Sequence, residues 1–259
     1  MASGWVEISE AKRLSGVRIV ITKGIPNPWA HGAKALFDVK RIPYVLVPQR
    51  GLTAHEELIE WTGQSSAPAV MVDDERPRTQ WSEIVHLAER LAPEPALIPA
   101  DAAQRAAMFG YLHELCGELG FGWCRRMHFT HTILSDPDSP VRAIGEYVGA
   151  RYGYGQYAPA AIERRIAQLL QLFAGLLRQQ QARGARFFLG EQLTALDLYW
   201  AAFAALIEPL PHAQCSMFDV MRPLYTLSDP ALRALVDPAL LAHRDWIYAE
   251  YLPLPVPLR

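Results

Sequence analysis

The sequence predicts a two-part chain: a small α/β unit over residues 17–92, a proline-rich linker over 93–100, and an all-α unit over 101–252. Three observations predict it. In the first third, short β-branched runs alternate with amphipathic stretches in the order β-α-β-α-β-(β)-α. The segment PEPALIPAD (93–101) then carries three prolines and no hydrophobic period. Beyond it, apolar residues recur at helical spacing and not in alternation.

Each element follows from a local signal. VRIVITK (17–23) is short, apolar and β-branched, the form of a buried strand. From Pro28 to Lys40, the residues Trp29, Ala33, Leu36 and Phe37 fall at helical spacing. IPYVLVPQ (42–49) reads as a second strand confined by Pro43 and Pro48. TAHEELIEWTG (53–63) suits a helix stopped by Gly63, and PAVMVDD (68–74) a third strand, with a weak fourth at 78–80. SEIVHLAERLA (82–92) makes a helix with Ser82 as its N-cap and Ile84, Leu87 and Leu91 on one stripe. After the linker, Asp101 is placed to cap one long helix to about His131, with Pro137 and Pro140 breaking the chain beyond it. A short helix over 140–150, an aromatic loop RYGYGQYAP (151–159), and helices over 159–182, 194–207 and 229–251 complete the prediction. No internal repeat is visible.

Composition narrows the function classes. The chain has 259 residues, 51% of them hydrophobic and 20% charged, with a formal net charge of −2. With both signs interspersed there is no basic field for nucleic acid or an anionic membrane surface. MASGWVEISEAKRLSG (1–16) lacks the apolar core of a secretory signal, and no apolar run approaches the roughly 20 residues that span a bilayer. Cys116, Cys124 and Cys215 form neither a disulfide framework nor a zinc-ligand spacing, and read as small buried apolar residues. The expectation is a cytoplasmic protein with no metal.

At FFLGEQLTALDLYWAAFAAL (187–206) a specific motif appears. Thr194 and Asp197 have the spacing of a capping box, and Leu193 and Leu198 that of a hydrophobic staple around it. This stretch, with Gly190 four positions before Thr194, resembles the G-x-x-x-T/S-x-x-D start of the sixth helix in cytosolic glutathione transferases. The element order and the LIPAD…QRA transition (97–106) resemble that family too, over residues 17–210. The resemblance implies a thioredoxin-like first domain and an all-helical second. It also implies glutathione as cosubstrate, a small-molecule electrophile as second substrate, and a homodimer.

The resemblance further implies site residues. Pro68 matches the family's cis-proline, which makes Ala67 the residue whose backbone pairs with the cysteinyl part of glutathione. Ser82 matches the serine that holds the γ-glutamyl carboxylate at a helix N-terminus, a favourable place for an anion. Trp81 stands where the family has an acid, which puts the hold on the tripeptide's amino end in question. Glu83 is no substitute, because one residue along a helix turns the side chain by about 100°.

The loop GIPNPWAHGAKAL (24–36) resembles the C-P-F-A-x-R start of the omega-like, cysteine-using members, with Asn27 in the cysteine position. Asn27 has no nucleophile, but its amide donors, beside a helix N-terminus, are suited to stabilising a glutathione thiolate. The competing reading makes Asn27 a plain N-cap followed by Pro28 at N1. His31, one turn on, is either a general base or a packing residue. Trp29, Tyr111, Trp123, Arg126 and Met127 are the expected walls of the acceptor pocket. Three readings remain: thiolate attack on an electrophile, disulfide reduction between bound glutathione molecules, or a catalytically silent binding protein.

Overall fold

The structure, a computed structural model, describes residues 2–259. Strands β1 (Ala2–Trp5), β2 (Val17–Thr22), β3 (Tyr44–Gln49) and β4 (Ala69–Val72) form one mixed sheet in the order β1-β3-β2-β4. β2 runs parallel to β3, from Val17 opposite Tyr44 to Thr22 opposite Gln49, and antiparallel to β4. All six residues of β2 are buried, as its β-branched run requires of a central strand. The predicted fourth strand is only a bridge between Arg78 and Val70, and the edge is supplied instead by β1, where no strand was expected.

Four helices accompany the sheet: α1 (Ile8–Ala11), α2 (Pro28–Val39), α3 (Glu56–Thr62) and α4 (Trp81–Leu91). Gly63 ends α3 in the left-handed conformation at φ 77°, which its missing Cβ permits. Ser82 is not the cap of α4; that position is Gln80, and Ser82 lies inside the first turn.

The rest is helical: α5 (Ala102–Cys116), α6 (Phe121–Ser135), α7 (Arg142–Tyr152), α8 (Pro159–Gln181), α9 (Ala195–Phe203), α10 (Arg222–Tyr225), α11 (Pro230–Arg233) and α12 (Pro238–Tyr251). The single helix expected over 101–131 is two. Asp101 caps the first through Gln104 N at 2.8 Å, but the chain breaks at Gly117–Gly120, where Leu119 turns to φ 58°. A Cβ on Gly120 would lie 2.8 Å from Glu114 O, so the turn needs glycine there. The helix expected over 229–251 also divides, because Asp229 and Asp237 each start a new one with proline in its first turn.

The centre of the helical part is α9. Its capping box forms, and Asp197 accepts from Thr194 N at 3.0 Å and Thr194 Oγ1 at 2.8 Å. All nine residues of α9 are buried, and α2 lies between this helix and the sheet. Gly32 makes that approach close: a Cβ there would sit 2.6 Å from the Tyr199 ring. The fold therefore pins α2 on both sides, and with it the loop that precedes it. Among the described residues, no helix is long and apolar enough to cross a membrane.

Candidate functional site

The loop between β2 and α2 is held by backbone bonds from far along the chain. Gly24 N donates to Leu258 O at 2.8 Å, and Phe218 N donates to Gly24 O at 2.9 Å. Gly24 has φ 84°, and a Cβ would overlap the Phe218 ring at 2.0 Å, so only glycine fits. The last residues thus strap the loop from outside, with Val256 and Leu258 buried.

Asn27 occupies the N-cap position of α2, and its carbonyl accepts from His31 N at 2.9 Å. Its side chain does not cap the helix, which overturns the plain-cap reading. Instead Nδ2 donates to Thr22 Oγ1 at 2.9 Å, and the buried Oδ1 has no partner. Because the Thr22 hydroxyl accepts this bond, its own proton remains available to another acceptor.

Asn27 and Thr22 line a cavity of about 300 Å³ between the two halves of the chain. Ser66 and Ala67 form part of one wall, and the Ala67–Pro68 peptide is cis. Gln64 fixes this corner, with Nε2 donating to Ser66 O at 2.8 Å and Pro68 O at 2.7 Å. Trp29 and Arg126 form another wall, and Trp29 is anchored by Nε1 donating to Cys116 O at 2.8 Å. That carbonyl is free because α5 ends there, so the unpredicted break at 117–120 also positions Trp29.

Other expected site residues lie elsewhere. Trp123 and Met127 line a separate narrow crevice with His131 and Tyr154. Tyr111 packs against Phe173, with ring centres 6.5 Å apart. Neither Trp81 nor Ser82 lines the cavity, and Trp81 packs against Phe109. Glu83 is engaged with Arg76 at 2.8 Å, which keeps its carboxyl below the usual range. His31 is a packing residue: burial and the nearby Lys34 charge push its pKa down to about 3. The three cysteines are free and buried, and burial raises the Cys116 thiol.

The far wall comes from residues that carry no local signal. Ile144, Tyr147, Val148 and Tyr152 reach it from α7, and Phe218, Val220, Met221 and Tyr225 from the segment around α10. Thr22 and Gln49 complete the floor from the ends of the paired strands β2 and β3.

No family model matches the sequence, and no curated protein matches it. Solved structures do match. A glutathione S-transferase domain-containing protein from Marinobacter aquaeolei VT8 is 17% identical, with the match covering 91% of this chain and 100% of that one at a TM-score of 0.61. The fold is that of the glutathione transferases. A glutathione S-transferase from Methylobacterium radiotolerans, solved in complex with glutathione sulfonate, is 19% identical over 91% of this chain and 92% of its own, at a TM-score of 0.59. Glutathione transferase Omega 3C from Trametes versicolor is 12% identical over 94% and 89%, at a TM-score of 0.58. In this glutathione-transferase fold the cavity lies beside the N-terminus of α2, with the cis Ala67–Pro68 corner on its wall.

Proposed function

We propose that this protein is a glutathione-dependent enzyme of the transferase type, in which bound glutathione thiolate attacks a small electrophile inside the interdomain cavity. The observation that carries the proposal is the Asn27–Thr22 pair at the head of α2, lining one cavity with Ala67. The Ala67 backbone pairs with the cysteinyl part of glutathione, which delivers the sulfur to that pair. The second Nδ2 proton of Asn27, the Thr22 hydroxyl and the helix dipole then favour thiolate over thiol. The sulfur forms a bond to the electrophilic carbon, the leaving group departs with its electron pair, and the thiol proton passes to water. The γ-glutamyl end extends beyond the cavity toward Ser82 and the first turn of α4, without the usual acid, which Trp81 replaces. The protein works as a homodimer in the cytoplasm, the linker at 93–100 joins its glutathione-binding domain (17–92) to its substrate-pocket domain (101–252), and light scattering that gives the mass of one chain would remove the dimer.

Calorimetry with glutathione tests the proposal first: binding at up to millimolar ligand is expected, and no heat would refute it. Next come Asn27→Ala and Thr22→Val with an aryl halide. Each is expected to lower kcat by about tenfold or more with little change in glutathione affinity, because each acts on the sulfur and not on the peptide anchors. Unchanged turnover in both variants would refute the assigned roles. A small disulfide run in parallel separates the alternative of disulfide reduction between bound glutathione molecules. The silent binding protein is favoured by Trp81 and by the absence of Ser82 from the cavity wall. It predicts binding without turnover of either substrate.

A further inference from the structure

The cavity is electrically one-sided. Its lining includes Lys23 and Arg126 and no aspartate or glutamate. Arg126 is held between two aromatic faces, its Cζ 4.1 Å from the Trp29 ring centre and 3.9 Å from that of Tyr152. Among the described residues, no carboxylate, carbonyl or hydroxyl accepts a hydrogen bond from its guanidinium. The neighbouring Arg125 shows the contrast: it is fully buried and its Nε donates to Leu206 O at 2.8 Å, whereas Arg126 is only partly buried at the cavity wall. A cation partly withdrawn from water with no anion beside it loses hydration that stacking offsets only in part. Burial holds the Arg126 guanidinium below its ordinary pKa, but it stays fully charged near neutrality.

A second unpaired polar group faces the same situation. Tyr147 lines the cavity, and its buried hydroxyl has no partner. Ile144, Val148, Phe129 and Leu206 supply the apolar lining here, and the Arg151 guanidinium lies near both groups, 5.9 Å from the Tyr147 ring centre. At the mouth, Leu52, Phe218 and Val220 are about half exposed, an unusual cluster of large side chains left in water.

We infer that the second substrate is a small apolar or aromatic carboxylate, its ring or chain against the apolar wall and its carboxylate on Arg126. Guanidinium and carboxylate match as planar forks, so the geometry favours a carboxylate over a neutral polar group. The Tyr147 hydroxyl is the second donor. The inference rests on the proposed glutathione chemistry only for calling this molecule the reacting partner; the binding stands separately.

The test is calorimetry without glutathione, using naphthalene-2-carboxylate and its neutral amide, naphthalene-2-carboxamide. Wild-type protein is expected to bind the acid at least about tenfold tighter than the amide, as a charge-assisted bond in a partly enclosed site implies. Arg126→Gln should erase that preference, and Arg126→Lys, which keeps the charge but loses the fork, should retain part of it. Circular dichroism of each variant shows whether it is folded, and the wild-type acid-to-amide ratio stands even if one is not. Equal binding of acid and amide by the wild type would overturn the inference, as would a preference that survives Arg126→Gln. Saturating glutathione should leave the acid's affinity within a few fold. If glutathione competes it away, Arg126 serves the tripeptide and the inference falls. If glutathione does not bind but the acid preference holds, the transferase proposal fails and this site remains.

Discussion

Removing the Asp197 carboxylate should unfold the helical half long before it disturbs ligand affinity. Asp197 is 0% exposed and accepts from Thr194 N at 3.0 Å, Thr194 Oγ1 at 2.8 Å and Phe188 N at 2.9 Å, with His243 Nε2 at 3.0 Å. In Asp197→Ala the Thr194 hydroxyl and His243 can turn elsewhere, but the Thr194 and Phe188 amides are fixed by the backbone. Each buried amide left without an acceptor costs about 1–3 kcal/mol, so the pair costs roughly 2–6 kcal/mol. For a chain of this size each kcal/mol lowers Tm by about 2–4 °C, which predicts a fall of about 10 °C. Asp197→Asn keeps one acceptor oxygen but turns an NH2 donor toward the remaining amides, and should fall between the two. Scanning calorimetry measures both variants, and glutathione titration at 15 °C on the folded fraction should give near wild-type affinity. A Tm loss below about 3 °C for Asp197→Ala would show that the backbone relaxes around the site, and the reasoning would fail.

The structure also predicts a pH dependence and a packing limit. His31 and His128 titrate at about 3 and about 4 in the folded protein, both pushed down first by burial, against 6.5 when free. The unfolded chain therefore takes up these protons first, so their contribution is complete above pH 6.5 and lost as pH falls toward the folded values. His31, fully buried, removes about 2 kcal/mol of stability between pH 6.5 and 5, the partly exposed His128 and His55 less, and urea denaturation across that range should show His31→Leu with a clearly shallower slope than the wild type. Gly122→Ala would place a Cβ 2.3 Å from the buried Phe203 ring and 2.8 Å from Trp29. It should cost about 1–3 kcal/mol in urea denaturation and shift the Trp29 fluorescence; an unchanged spectrum would mean that Trp29 is not held by this contact.

What the sequence reveals is whatever its signals keep local. Gly63 stops a helix through its own φ, the β2 run buries itself through its own side chains, and the Thr194–Asp197 box closes within one turn. The break at Gly117–Gly120 is hidden because apolar residues continue at helical spacing on both sides of it, and two glycines were the only warning. The divisions at 229–237 are marked only by Asp-Pro pairs, each of which can start a helix anywhere along a periodic stretch. The far wall of the cavity is less legible still, since Tyr147, Phe218 and Tyr225 gain their roles only from the way distant segments meet.

Asn27 shows where a local rule stops short. Its position before Pro28 satisfies the grammar of a helix start, and it does occupy the N-cap position. The end of β2, however, places Thr22 Oγ1 within 2.9 Å of Nδ2, and the side chain turns there instead of to the helix amides. The first-turn amides of α2 are then left without a side-chain acceptor, so the positive end of the helix is not neutralised from within. A side chain serving as cap would have competed with a thiolate for those amides. Turned to Thr22, it leaves those amides open toward the cavity, where the proposed thiolate would sit.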